Sequence, residues 1–332
     1  MPFRPPRACK PIVLGILLSY CATASAQNGA TRAASSTSHE LTDELGRRVE
    51  VPNAPTRVVS LAPNLTEVVF ALREGENLAG DTDFCDYPSE AARKPHVGGT
   101  VNPSLERIAS LMPDLVLATK SINRRETVDA LDRVGLPVYV TDDPHSVNDM
   151  IATVEHVGNA LGAEKSAASV VGDLRGRLVE LERRLTGRTP RRVLFVVWTD
   201  PLISVGRDTF IADALRRAGG RSVVDTAAEW PRISLEEMVR LQPEFLVFAS
   251  AHAEDERRGI AALRTRPGWK DLEALRPGNV VVLSDAINRP APRIVDAIEQ
   301  LARTLHPEAF SSETAPQQGA RPALEEACAC AR

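Results

Sequence analysis

At 332 residues the chain is long enough to bury two sizeable cores. Its net charge is −4, and its charged residues (25%) mix both signs, which excludes a nucleic-acid grip built on basic runs and an acidic solvating tail. Aromatic residues are only 4% of the chain, so each ring outside a core carries weight.

The first elements are targeting signals. Arg4, Arg7 and Lys10 precede an apolar run over 11–20 that is too short to span a bilayer. Ala24-Ser25-Ala26 has the small-x-small form of a cleavage site, so residues 1–26 read as a signal peptide and the mature chain as a soluble, periplasmic protein. Cys21 offers a lipoprotein anchor as the alternative, but the bulky Tyr20 before it argues against lipidation. Cleavage leaves Cys85, Cys328 and Cys330, which make no disulfide framework. The last two lie in a tail over 308–332 that its Ala, Gln, Glu and Pro content predicts to be disordered.

Residues 27–54 read as a linker and an N-terminal strand. An α/β lobe is expected over 55–147, with strands at 58–61, 78–80, 115–118 and 138–140. After the first strand, Asn64 is expected to cap a helix with Glu67 as its box partner, and Leu65, Val68, Val69 and Leu72 form its core face. Linking helices follow over 148–189. Val171, Leu174, Leu178, Leu181 and Leu185 step by three and four along the second of them, a rod of about 33 Å that can run across two lobes. A second α/β lobe is expected over 190–307, with strands at 192–197 and 279–283 and a closing helix over 293–305.

One segment recurs 130 residues on. Ser104 precedes 105–117 as Ser234 precedes 235–247. In each copy the serine can cap a helix, and apolar residues (Leu105, Ile108, Leu111; Leu235, Met238, Leu241) mark one helical face. Pro113 or Pro243 ends the helix, and a short apolar strand follows. Two copies of one helix-proline-strand unit imply two similar lobes. The expected fold is therefore α/β: two Rossmann-like lobes with parallel sheets, bridged by one long α-helix.

No nucleophile elbow, Walker loop or dinucleotide glycine fingerprint is present. The six histidines show no ligand spacing, and no Cys/His cluster matches a metal site, so no resident cofactor or metal is expected. Ligands of α/β sheets sit beyond the carboxyl ends of the strands. That rule selects the loops 83–88, 98–103, 120–123, 198–201, 229–232 and 285–293, and with them Tyr87, Thr100, Lys120, Trp198, Trp230, Asp285 and Arg289 as candidate ligand-binding residues. Trp198 and Trp230 either pack under their own loops or wall a cleft for a large planar ligand. Trp269 reads as ordinary packing. Glu106 and Glu236 either complement the dipoles of their helices or form a two-pronged contact for a partner bearing arginines.

These residues resemble a class of periplasmic binding proteins that serve ABC importers and join their lobes by a long helix. That class includes cobalamin, haem and ferric-siderophore receptors. The resemblance covers roughly residues 43–306. It rests on the run 57–67, the turn Cys85-Asp86-Tyr87-Pro88, the segment 105–117, Trp230-Pro231 and Ala291-Pro292-Arg293-Ile294. The Asp86-Tyr87-Pro88 turn and Trp230-Pro231 are most like the cobalamin receptors. The resemblance implies a corrinoid held between the lobes near Tyr87, Trp198, Trp230 and Asp285. It also implies a non-enzymatic monomer, with Glu106 and Glu236 meeting permease arginines. Thr100, Thr119 and Ala286 stand where cobalamin receptors can carry tryptophan, which leaves haem or a siderophore open, with Arg289 and Arg293 available to ligand carboxylates. A secreted two-lobed enzyme with its site in the cleft is the alternative of a different kind.

Overall fold

A computed structural model describes residues 37–250 and 259–311. The expected signal peptide, and the tail beyond residue 311, lie outside the described residues. The chain begins with an antiparallel hairpin, β1 (Ser38–Thr42) and β2 (Arg48–Pro52). The stretch 27–54, which reads as a linker and one strand, holds both, and β1 is the strand not expected. Its alternating half-buried and exposed residues give too weak a period-2 signal in five positions to stand out.

The first lobe contains β3 (Val58–Ser60), helix α1 (Pro63–Ala71), β4 (Leu78–Gly80), α2 (Leu105–Ser110), β5 (Leu115–Thr119), α3 (Arg125–Arg133) and β6 (Val138–Thr141). Two helices follow, α4 (Val147–Ala160) and α5 (Glu164–Leu185). The second lobe contains β7 (Arg191–Val196), the short hairpin β8 (Trp198–Thr199) and β9 (Leu202–Ile203), α6 (Phe210–Arg217) and β10 (Gly220–Ser222). It continues with α7 (Leu235–Leu241), β11 (Phe245–Ala249), β12 (Val280–Leu283) and α8 (Ile294–Leu305).

The two main sheets are separate, parallel and alike. Their strand orders are β4-β3-β5-β6 and β10-β7-β11-β12, so each lobe places its second strand outside its first and then adds its third and fourth on the other side. The repeated segment occupies the same station in both, as α2 with β5 and α7 with β11. Ser104 and Ser234 accept the backbone N–H groups of Arg107 and Glu237, as expected of N-caps. The residues before the two prolines, Met112 (φ 47°) and Gln242 (φ 40°), are both left-handed. Proline bars its predecessor from the right-handed helical region, and both copies take this exit.

Strand residues alternate between two cores on opposite faces of each sheet, which is why the strands read as unbroken apolar runs. Val58, Leu115, Leu117, Val193 and Phe195 join one core that also holds Val154 and Val157 of α4 and Val171, Leu174, Leu178 and Leu181 of α5. Their neighbours Val59 and Val116, or Leu194 and Val196, face a separate core in each lobe, the latter including Trp269. α5 thus lies along both lobes. Asp213 of α6 adds a polar tie, accepting the Val147 N–H at the start of α4 at 2.9 Å.

Three local expectations change. Asn64 is not the cap of α1. Ala62 holds that position, Pro63 opens the helix, and the buried Asn64 Oδ1 has no partner. Leu105 and Leu235 are exposed rather than inward, because α2 and α7 are short and only Ile108 and Met238 are fully buried. At the start of the expected disordered tail, residues 307–309 form a 3₁₀ turn, and Phe310 is buried beneath the guanidiniums of Arg184 and Arg303.

Candidate functional site

Asp86 follows the carboxyl end of β4 in the first lobe, and Arg289 follows the carboxyl end of β12 in the second. They form a two-pronged ion pair, Nη1 to Oδ1 at 2.5 Å and Nη2 to Oδ2 at 3.1 Å. The carboxyl ends of the two sheets therefore face one another, as the strand-end rule requires of a ligand cleft.

Behind this pair lies a network shared between the lobes. Glu67 of α1, its side chain 2% exposed, accepts Arg293 Nε at 2.7 Å and lies 3.4 Å from Arg289 Nη1. Asp285 takes Arg293 Nη1 at 3.0 Å and Arg289 Nη2 at 3.3 Å. The Arg293 guanidinium lies 4.4 Å above the Tyr87 ring. Burial pushes the Glu67 carboxyl above its ordinary range, against the pull of both arginines. Arg289 holds Asp86 below its ordinary range, mainly through their hydrogen bonds. Two guanidiniums are thus committed to three carboxylates.

On the first lobe, Tyr87 is 47% and Phe84 59% exposed, and Val101 and Ile122 are also open to solvent on adjoining loops. Thr100 is half-buried, and its carbonyl accepts Asn123 Nδ2 at 2.9 Å. Asn123 also bonds the Leu61 carbonyl and the Thr119 N–H, so this buried amide locks three loop ends together. Lys120 is exposed and pairs with Asp142 at 3.3 Å. Cys85 does not reach the cleft. Its buried thiol lies 3.2 Å from the hydroxyls of both Thr66 and Thr82, and burial pushes its pKa up. Nearby, the sealed Asp81 carboxylate bonds His96 Nδ1 at 2.7 Å through Oδ1 and has no partner at Oδ2.

On the second lobe, Trp198 and Trp230 are 61% and 51% exposed, so neither ring is packed away beneath its own loop. Trp198 is anchored only at its edge, donating Nε1–H to the Asp200 carbonyl at 2.8 Å. In the hairpin Trp198 pairs with Ile203, and Ile203 bridges to Arg232. Directly opposed residues in antiparallel strands share a face, so Trp198 and Arg232 stand on one side of this ribbon, with Trp230 two residues away. The 226–229 segment is pressed onto Gly206, where any Cβ would overlap the Ala228 carbonyl oxygen.

The expected site residues therefore fall into groups. Tyr87 and Asp285 meet at Arg293, and Asp285 also holds Arg289. Trp198 and Trp230 stand exposed on neighbouring segments of the second lobe, and Thr100 and Lys120 on first-lobe loops. Arg289 is not free to meet a ligand carboxylate, because Asp86 already occupies it. The sequence reading missed Glu67 and Asp86 as members of the network, and Phe84 as an exposed ring. An Asp beside the selected Tyr87 was the available signal for Asp86, whereas Glu67 was hidden by its resemblance to a capping-box residue. A cavity of about 620 Å³ lies behind the network, between α1, α5 and the start of α8, and neither tryptophan lines it. Glu106 and Glu236 are exposed in the first turns of α2 and α7. Crossover helices run antiparallel to their strands, so both carboxylates lie at the cleft end of their lobes. Among the described residues no helix is long and apolar enough to cross a membrane, and no group of three metal-ligating side chains occurs.

Comparison with known proteins adds three relatives. The model of the periplasmic binding protein family matches residues 58–286. The vitamin B12-binding protein of Vibrio parahaemolyticus is 32% identical over 245 residues, 73% of this chain and 86% of that one. The uncharacterized ABC transporter substrate-binding lipoprotein YvrC of Bacillus subtilis is 28% identical over 276 residues, 81% of this chain and 85% of that one. Among solved structures, the periplasmic haem-binding protein RhuT of Roseiflexus sp. RS-1, in its apo form, matches with a TM-score of 0.68 at 27% identity, covering 76% of this chain and 98% of that one.

Proposed function

Since the chain belongs to the periplasmic binding protein family, we propose that it is the periplasmic substrate-binding component of an ABC importer, taking cobalamin or a related corrinoid between its lobes. The observation that carries the ligand is the exposed pair Trp198 and Trp230 on the ribbon at the cleft end of the second lobe. Open indole faces suit a large flat ring system. The commitment of Arg289 and Arg293 to protein carboxylates favours a corrin, whose periphery is amide, over a ring that needs its carboxylates neutralised. The vitamin B12-binding relative points the same way. The protein performs no chemistry on its cargo; Glu106 and Glu236 present it to permease arginines.

Haem or a ferric siderophore is the second reading, and Arg232 favours it. This exposed guanidinium has no ion-pair partner among the described residues and stands on the tryptophan side of the ribbon, where a ligand carboxylate could use it.

Absorbance titration of the purified protein with cyanocobalamin, haemin and a ferric siderophore separates the readings. Cyanocobalamin should bind most tightly, and Trp198→Ala or Trp230→Ala should each weaken it by about 2 kcal/mol, roughly thirtyfold. Preference for haemin would replace the corrinoid with the second reading. In the same protein, Glu106→Ala with Glu236→Ala should leave binding intact and abolish uptake. Loss of binding would assign those carboxylates to the pocket or the fold instead.

A further inference from the structure

We propose that Asp86 fills an anion seat in the cleft, occupying the guanidinium fork of Arg289 in place of a ligand carboxylate, and so selects ligands with an amidated rather than acidic periphery. The inference rests on the corrinoid reading for its ligand class. Its geometry is independent of that reading.

The pair spans the two lobes on loops at the carboxyl ends of β4 and β12, where a ligand must pass or rest. Both Arg289 terminal nitrogens are engaged, at 2.5 and 3.1 Å, in the forked geometry by which arginine takes any carboxylate. The Asp86 side chain is 61% exposed, whereas that of Arg289 is 21% exposed, so the carboxylate is the open side of the pair. The same two nitrogens are held from behind, Nη1 by Glu67 at 3.4 Å and Nη2 by Asp285 at 3.3 Å. A ligand carboxylate arriving here must displace one that is tethered in place, and it meets three carboxylates around two guanidiniums. A primary amide meets no such charge, and its N–H can donate to the exposed Asp86 oxygens. Specificity then comes from a built-in repulsion as well as from attraction. Asp86 is in this sense a specificity-determining residue, and Arg289 positions it.

The test compares two corrinoids of the same ring: dicyanocobinamide, whose side chains are amides, and dicyanocobyrinic acid, whose side chains are carboxylates. Affinities are measured for the wild-type protein, Asp86→Asn, and Asp86→Asn with Arg289→Gln. Asp86→Asn should shift the acid-to-amide affinity ratio about tenfold toward the acid, because the neutral amide holds the fork more weakly and no longer repels an incoming carboxylate. Adding Arg289→Gln should return the ratio to near its wild-type value. An unchanged ratio, or equal tightening of both ligands, overturns the inference. If the wild-type protein binds no corrinoid, the proposed function fails by itself. The same ratio is then read with haem and haem dimethyl ester, which differ in their propionate carboxylates, and it should shift toward haem in the Asn variant. A protein that binds neither pair overturns both proposals.

Discussion

Asp81 stands at the end of β4 with its side chain fully enclosed, bonded to His96 on one oxygen and to nothing on the other. Burial pushes its pKa from 3.8 up to about 6. The folded protein therefore keeps a proton that the unfolded chain has already released, and stability falls as pH rises from about 4 to about 6. The loss attributable to this residue is about 3 kcal/mol. Asp81→Asn removes it, so the variant's stability relative to wild type should rise by most of that amount from pH 4 to pH 7 in urea melts. A pH-independent difference would mean that Asp81 is ionised throughout. At this scale the sequence was least legible. Trp198 and Trp230 could be chosen because surface loops seldom keep large rings without use, and Tyr87 because its turn resembles that of the binding-protein class. The Glu67–Arg293 pair could not, because 226 positions separate its members and nothing local to either one marks it. Asn64 was misread for the opposite reason. An Asn with Glu three residues on is a strong local pattern, but Pro63 already opens the helix and Glu67 has a partner across the lobes.

The twin helices α2 and α7 show what an element can disclose from sequence. Serine cap, apolar spacing, proline and strand together fixed where each helix starts and stops. They could not fix how far its first turn projects from the sheet, so Leu105 and Leu235 were placed inward. Each cap satisfies one otherwise unpaired N–H, and Ser104→Ala or Ser234→Ala should each cost about 1 kcal/mol. The two sit in different lobes with no shared partner, so the double variant should cost about 2 kcal/mol in the same urea melts. A marked departure from that sum would mean that the lobes are coupled through these helices. β8 and β9, two residues each, escaped notice because so few positions cannot establish a period, and β10 because Gly220-Arg221-Ser222 carries no apolar residue to mark a buried strand.

At the scale of the whole molecule, the duplicated unit and the apolar stripe of α5 were enough to predict two parallel sheets joined by a rod. Both signals are long, and burial of a 22-residue stripe leaves few alternatives. The opposition of Asp86 and Arg289 depended instead on how the finished lobes meet. It emerges only when both sheets, α4 and α5 are in place.

The core that runs from β3 and β5 through α4 and α5 to β7 has a thermodynamic corollary. Each half keeps a core of its own on one sheet face, but the core on the other face is shared, so neither half should melt while the other stays native. Heating should give one calorimetric peak whose van't Hoff and measured enthalpies agree, despite the bilobal outline. Two resolved peaks would show that the hydrophobic continuity across the helical rod contributes little. If the single peak is found, a fragment ending at the close of the first sheet should lack cooperative unfolding altogether, and damage anywhere along the rod should be felt equally at both ends.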